Sequence, residues 1–427
     1  MSTTAGTSCS VFYSRGVGQD KDSFDAIYEA MNGSSKFLPG EIIMAILLAL
    51  TVKPLLRFKS VCRSWHALIL SLPFINMHHD RAKRNNLICF YKQHVYNSVS
   101  VCEDETITDL LLPPPTLPKR CRQIVVAAAC RGMVCFSSAS CSNSAVVWNI
   151  ATREYRIFNG IGRGDIDGRS YYSIATGFTF LPIINDYKLV RVIIYANQTA
   201  YIKITRWNGD NSSIPAKEMV TDFPYSIVQH GHCLNANDAI HWIRHDKVGP
   251  VLSIVIAFDM VEEKFRQIAT PFNQEKPIRH YHRKLALLKE STLAIFGSSV
   301  SSTGYLSFHI WALKNYRGVS ESWAKQFTFE ATSLLCYDLQ PWGFWLNGEV
   351  VFYRMEETPG KMGLYDIHTN QIKDFPVDID FDHLLHYSSI IHYKESLVPL
   401  PQMKKNKMTN NVCCNHCPFQ NDQFNIN

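Results

Sequence analysis

VWNIATREYR (147–156) is a phrase the chain repeats, first as AFDMVEEKFR (257–266) and again as LYDIHTNQI (364–372). Each copy reads as a strand ending near an aromatic residue, a polar four-residue turn opened by Asn149, Asp259 or Asp366, and a returning strand. Asn and Asp suit the opening position because their short side chains accept hydrogen bonds from the backbone of the turn. Trp148 and Phe258 stand 110 positions apart, Phe258 and Trp311 53, and Trp311 and Tyr365 54. The first interval therefore holds two units, and the missing member falls near Ile202–Trp207, IKITRW. One period upstream of Trp148 lies another strand pattern, Leu87-Ile88-Cys89-Phe90-Tyr91. A long period of this order, with about four strands per unit, predicts an all-β, propeller-like domain of about six kelch-like blades over residues 81–400. A β-sandwich is the alternative, but it requires no fixed long period. Apolar and polar residues alternate in Val190–Ile194 and Tyr201–Thr205, a pattern that predicts half-buried strands.

Ahead of the repeat the texture is different. FLPGEIIMAILLALTVKPLLRFKSVCRSWHALIL (37–70) is densely apolar, carries a surplus of positive charge and contains a single acid, Glu41. Pro39 is expected at the first helical position, where its missing N–H costs nothing, with a helix running to about Leu50. Lys53-Pro54 breaks that helix, and Pro54 can begin the next. Phe58, Val61, Cys62, Trp65, Leu68 and Ile69 recur at three- and four-residue steps, the spacing of one helical face. A few short helices bury too little surface to stand alone, so this segment needs something to pack against. The bland reading is a helical cap on the chain's own β domain. A helix-turn-helix DNA reader fits less well, because Arg57, Lys59, Arg63 and His66 share their helices with too many large apolar side chains. The fold class expected is α+β and multidomain: a disordered extension at 1–36, a helical domain at 37–80, the β domain at 81–400 and a disordered tail at 401–427.

The ordered signals Leu38-Pro39, Glu41-Ile42-Ile43, Ile46-Leu47, Val52-Lys53, Leu55-Leu56-Arg57-Phe58, Val61-Cys62-Arg63-Ser64-Trp65 and Pro73-Phe74-Ile75-Asn76 resemble the F-box. Thr51 stands where the family's loop usually has proline. The resemblance implies binding to the Skp-type adaptor of a cullin ubiquitin ligase, and through it to the cullin and RING subunits. The residues expected at that contact are Leu38, Pro39, Ile42, Ile46, Leu47, Leu55, Phe58, Val61, Cys62 and Trp65.

Further phrases extend the resemblance over most of the chain: Gly132-Met133-Val134-Cys135-Phe136, Trp148-Asn149, Asn185 to Arg191, Ala239-Ile240-His241-Trp242, Phe258-Asp259 and His309-Ile310-Trp311. They are similar to the plant F-box-associated interaction domain, apart from Ile150 where that family commonly has proline. Val319-Ser320-Glu321-Ser322-Trp323 and Tyr393-Lys394-Glu395-Ser396-Leu397 look most like S-locus F-box proteins of pollen and their paralogues. In that group the captured protein is a stylar ribonuclease (S-RNase), ubiquitinated during self-incompatibility. The implied role is a non-catalytic substrate receptor that delivers a protein target for ubiquitination and proteasomal degradation.

Composition narrows the alternatives. With 427 residues, 46% hydrophobic and 19% charged, the chain reads as soluble and multidomain. Its longest apolar run, Ile42–Leu50, falls well short of the roughly 20 residues needed to span a bilayer. The start, MSTTAGTSCSVFYSRG, has neither basic head nor apolar core, so no secretory signal is expected. Thirteen cysteines without framework spacing argue for reduced thiols in cytosol or nucleus. A net charge of +6 is modest, and much of it sits at Lys53, Arg57, Lys59, Arg63, Arg81, Lys83 and Arg84. That placement suits an acidic protein partner better than nucleic acid.

Catalytic and cofactor signals are weak throughout. Gly160–Asp165 alternates glycines but opens no helical pattern, so it reads as a loop and not as a phosphate cradle. Asp378, Asp380 and Asp382 lack the glycine and distant Glu of a calcium loop. Cys413-Cys414-Asn415-His416-Cys417 has no second half-site for zinc. His241-Trp242 lies in an apolar strand and reads as a hydrogen-bonded core pair. No catalytic residue, metal or cofactor is expected. The rivals are a propeller enzyme or binding module with a structural helical cap, and a nucleic-acid binder.

Overall fold

The computed structural model describes residues 38–82, 84–90, 98–103, 106–110, 124–138, 144–159, 171–184, 186–195, 199–207, 216–222, 234–245, 253–272, 283–288, 292–300, 306–316, 322–330, 339–345, 348–354, 361–369, 371–374 and 389–400. Within these described residues two compact units emerge: residues 38–82 together with Lys394–Val398, and the residues from Arg84 to Tyr393 together with Pro399 and Leu400.

Among the described residues the first unit holds four helices, α1 (Gly40–Ala49), α2 (Val52–Phe58), α3 (Arg63–Leu70) and α4 (Leu72–Arg81). Pro39 is the residue before the first helical position, with φ −57° and ψ 147°, and not that position itself. Pro54 sits in the first turn of α2, two residues later than expected, where a missing N–H still breaks no helical bond. The stripe from Phe58 to Ile69 is not one helical face. Residues 59–62 leave the helix, and Cys62 turns extended (φ −157°, ψ 166°) so that its Sγ accepts from the Trp65 N–H at 3.4 Å. Phe58 therefore ends one helix, and Trp65 begins the next. Ser71 joins α3 to α4 with one hydroxyl, which donates to the Leu68 carbonyl at 2.7 Å and accepts from the Phe74 N–H at 3.4 Å.

α1 packs on α4, α4 on α3 and α3 on α2. Leu48, Val52, Leu68, Ile69, Phe74 and Ile75 are buried. His78 stacks on Phe74 and reaches the Leu50 carbonyl with Nε2 at 2.8 Å, fixing α4 to the end of α1.

The second unit is built of β-strands, which among the described residues form six four-stranded sheets. The chain's last strand, β24 (Ser389–Lys394), lies beside its first, β1 (Arg84–Phe90), in a sheet completed by β2 (Ser98–Glu103) and β3 (Thr106–Leu110). The next sheets are β4 (Ile124–Cys130), β5 (Met133–Ser138), β6 (Ser144–Asn149), β7 (Glu154–Asn159), then β8 (Tyr171–Leu181), β9 (Asp186–Tyr195), β10 (Thr199–Trp207), β11 (Lys217–Asp222). They are followed by β12 (Leu234–Ala236), β13 (Ala239–His245), β14 (Ser253–Asp259), β15 (Lys264–Ala269), then β16 (Leu285–Leu288), β17 (Thr292–Val300), β18 (Leu306–Lys314), β19 (Ser322–Glu330). The last is β20 (Leu339–Phe344), β21 (Val350–Arg354), β22 (Lys361–Asp366) and β23 (Gln371–Asp374).

The repeated phrase marks the same place in three sheets, the end of the third strand. Asn149 Oδ1 accepts from the N–H groups of Ala151 and Thr152 at 3.1 and 3.2 Å. Asp259 Oδ1 accepts from Val261 and Glu262, both at 2.9 Å, and Asp366 Oδ1 from His368 and Thr369 at 2.8 and 3.3 Å. Trp311 and Ile202–Trp207 also lie in third strands, β18 and β10. Leu87–Phe90 does not: it belongs to β1, second in the order β24-β1-β2-β3. The chain's far end supplies the leading strand of that sheet, which shifts the count by one.

Adjacent sheets share their cores. Phe296 of β17 stacks on Phe344 of β20 with centroids 5.2 Å apart, and Phe308 of β18 meets Phe352 of β21 at 5.7 Å. Ser137 of β5 bonds Thr176 of β8 at 2.9 Å. Gly177 in β8 faces Ile240 of the next sheet so closely that any Cβ would collide with it. Covering on both faces corrects the half-buried reading of Val190–Ile194: β9 is buried at all ten positions. The hairpin joining β4 to β5 turns through Arg131 (φ 47°) and Gly132 (φ 79°), the two left-handed residues of a type I′ turn. That geometry explains the glycine opening Gly132-Met133-Val134-Cys135-Phe136.

Candidate functional site

α1 is apolar on two sides, and only one of them is covered. Leu47 and Leu55 have no exposed surface at all, whereas Leu38, Ile42 and Ile46 remain 46%, 46% and 48% exposed. Ile42 and Ile46 stand one helical turn apart on α1 and Leu38 lies two residues before its start, and the three make up an exposed apolar ridge. Val61, in the turn after α2, is 60% exposed, and Pro39 and Cys62 are exposed as well. Phe58 and Trp65 are half-buried against each other, their ring centroids 5.5 Å apart. Leu47 and Leu55 are thus corrected from contact residues to core residues: they lie on the inward sides of α1 and α2 and offer nothing to a partner without unfolding. The other eight expected contact residues retain accessible surface.

The charge around the ridge is positive. Lys53, Arg57 and Arg63 are exposed, Lys59 is half-buried, and none of the four has an ion-pair partner among the described residues. Exposed large apolar residues and unpaired cations in one small helical unit are features of protein-docking surfaces in general.

His241 is fully buried; its Nε2 lies 2.8 Å from the Tyr316 hydroxyl and its Nδ1 3.2 Å from the Leu234 carbonyl. Nδ1 therefore carries the proton and Nε2 accepts from the tyrosine. The Arg266 guanidinium lies 4.3 Å from the centroid of that tyrosine ring. The expected core histidine is what the structure contains.

A second polar cluster went unnoticed in the sequence. Lys188 of β9 is buried, and its ammonium donates to the Met260 carbonyl at 2.5 Å and to Glu263 Oε1 at 2.8 Å. Lys217 of β11 reaches the other oxygen of Glu263 at 2.5 Å. Glu263, in the turn between β14 and β15, so clamps one sheet to the next. Burial raises the Glu263 pKa, but the bonds from Lys188 and Lys217 outweigh it and hold the carboxyl below the usual range. Lys284, beside Trp342 with Nζ 5.4 Å from the ring centroid, has its pKa pushed down to about 7 by burial. Glu395 is another residue that sequence reading passed over as an element of the helical unit: its Oε2 accepts from the Val52 N–H at 3.2 Å. A separation of 343 residues leaves no local pattern from which to find that bond. Gly160–Asp165, Asp378–Asp382, Cys413–Cys417, residues 1–36 and the tail from 401 lie outside the described residues.

Comparison with known proteins gives two family matches: an F-box domain over residues 37–76 and an F-box associated beta propeller domain over residues 87–400. Among curated relatives, F-box protein At3g08750 of Arabidopsis thaliana is 25% identical over 54% of this chain, and the match spans 59% of that protein's own length. F-box protein At3g07870 of the same plant is 20% identical over 77% of this chain and 81% of its own length. Putative F-box/kelch-repeat protein At3g17280 is 23% identical over 67% and 75% respectively. Among solved structures, TolB from Acinetobacter baumannii aligns with a TM-score of 0.37 at 12% identity, covering 78% of this chain and 73% of that one, too loose a likeness to add to the topology above.

Proposed function

Since the chain belongs to the plant F-box proteins that carry an F-box associated β-propeller domain, we propose that it is the substrate-recognition subunit of a Skp-cullin-F-box ubiquitin ligase. The single observation that supports this reading most is the ridge of Leu38, Ile42, Ile46 and Val61, apolar, exposed and bordered by unpaired basic residues. A helix that served only as an internal cap would have no use for a second apolar side. The adaptor covers that ridge, and the cullin and RING subunits follow through the adaptor.

In this reading the chain performs no bond-making step. The isopeptide bond forms on a recruited conjugating enzyme, and the chain contributes proximity: tethering a target near the loaded enzyme raises the local concentration of its lysines by orders of magnitude. The target is a protein held by the β unit. The phrases Ser322-Trp323 and Tyr393–Leu397 favour a stylar ribonuclease of the self-incompatibility type as that protein. The compartment is cytosol or nucleus, in keeping with the free thiols of Cys62, Cys130 and Cys135.

The test is affinity capture of the tagged full chain from its native tissue with the proteasome inhibited. A ubiquitinated ribonuclease accumulating on the wild-type chain, and not on a chain lacking residues 37–80, supports the proposal. Recovery of the adaptor with no ribonuclease refutes the choice of target; recovery of neither refutes the receptor role.

A further inference from the structure

The helical unit is not built from the front of the chain alone. Lys394–Val398, the final residue of the last β-strand and the four that follow it, group with the helices. Ser396 is fully buried, Leu397 is buried too, and the Ser396 hydroxyl accepts from the Val398 N–H at 3.2 Å, which curls the segment. Glu395 places its carboxylate on the first N–H of α2, Val52, at 3.2 Å.

That bond has a specific task. The residue in the ordinary capping position of α2 is Thr51, and its side chain makes no capping hydrogen bond. The helix is only seven residues long, too short to hold itself by propagation. An N-terminal N–H left without an acceptor next to the buried Val52 side chain carries a desolvation cost. Glu395 removes it with a charged acceptor, the stronger kind. α2 in turn presents Phe58 and leads directly into Val61, the most exposed member of the apolar ridge.

We propose that Glu395 is a positioning residue for adaptor docking and that Lys394–Val398 is a working part of the F-box unit. Adaptor recruitment is thereby coupled to the far end of the chain. β24, which completes the sheet of β1, β2 and β3, delivers the Glu395 segment to the helices as its direct continuation. A chain that has not formed its last strand would present a looser α2 and compete poorly for adaptor, so that the ligase preferentially loads receptors whose β unit is closed. This inference rests on the proposed docking role of the ridge.

The experiment measures adaptor affinity of the full-length chain together with hydrogen exchange at the Val52 amide. Glu395→Ala should weaken adaptor binding by about 5- to 30-fold, the range expected for losing a helix cap, and should speed Val52 exchange. Glu395→Gln keeps an oxygen in the same place and should recover most of the affinity, a rescue that general destabilisation would not give. Ile372→Ser, on the exposed edge strand β23, serves as the control and should leave both readouts unchanged. If Glu395→Ala fails to fold, Glu395→Gln is compared with Leu397→Ala: near-wild-type adaptor affinity in the former with weakened affinity in the latter supports the inference, and wild-type affinity in both overturns it. Wild-type affinity and unchanged Val52 exchange in Glu395→Ala overturn the inference alone. A wild-type chain that does not bind adaptor overturns the docking reading and the inference with it.

Discussion

Replacing Leu38, Ile42, Ile46 and Val61 together by alanine separates docking from folding. Their exposures of 46%, 46%, 48% and 60% add up to about two whole side chains of apolar surface in contact with water. Full burial of one such side chain is worth roughly 1.5–3 kcal/mol, so covering the ridge contributes on the order of 3–6 kcal/mol to docking. Alanine keeps part of each side chain, and the loss should be about 2–4 kcal/mol, or roughly 30- to 1000-fold in the adaptor dissociation constant. Folding should change little, because none of the four fills the core and helix α1 tolerates alanine well. Leu47→Ala gives the opposite signature: with no exposed surface it opens a cavity at roughly 2–5 kcal/mol of stability, and binding falls only as the helical unit unfolds. Isothermal titration with purified adaptor and thermal unfolding by circular dichroism read the two quantities. An alanine quadruple variant that binds as tightly as wild type, with the melt unchanged, would refute the assignment of the ridge.

Other outcomes follow from the β unit. Glu263→Gln leaves the buried Lys188 ammonium without its counter-charge and should destabilise the domain by roughly 3 kcal/mol, at the low end of such losses because Met260 still accepts from it. The depressed pKa of Glu263 makes the wild-type clamp acid-sensitive: the unfolded chain takes up this proton first, so its contribution is present above the ordinary carboxylate range and disappears as pH falls through the folded value. Calorimetric scans against pH should show that loss in wild type and a weaker one in Glu263→Gln. Asp259→Ala removes two bonds at the mouth of a turn and should cost roughly 1–3 kcal/mol, while Asp259→Asn retains the accepting oxygen and should cost much less in urea unfolding. For Lys284, with its pKa near 7, the unfolded chain binds the extra proton between about pH 7 and the ordinary lysine value, so its penalty is full below that window and fades as pH rises through it. Lys284→Met should accordingly raise the melting temperature more at pH 6 than at pH 9.

The long period carried the β architecture because it is a local signal repeated: an aromatic strand end followed by an Asx turn is decided by four or five adjacent residues, and Asn149, Asp259 and Asp366 all do what their side chains favour. The same locality explains why the strand pattern at Leu87 gave no sign that a strand from the opposite end of the chain joins its sheet. Around the ridge, composition identified an uncovered apolar helix pair, but periodicity could not say which side of α1 faced inward. Leu47 and Ile46 are neighbours with similar side chains and opposite fates. The single stripe from Phe58 to Ile69 failed because Cys62, an uncommon capping residue, breaks the helix there. Lys188, Glu263 and Glu395 were invisible for a different reason: each acts on a residue far away in sequence, and one chain without its fold gives no register between such positions.

The most direct test mixes the purified full-length chain with a Skp-type adaptor and cullin and weighs the products by size-exclusion chromatography with light scattering. Co-elution of all three at equal stoichiometry, abolished by the quadruple ridge variant, is the predicted result. A wild-type chain that elutes alone at micromolar concentrations, still folded, would contradict the account.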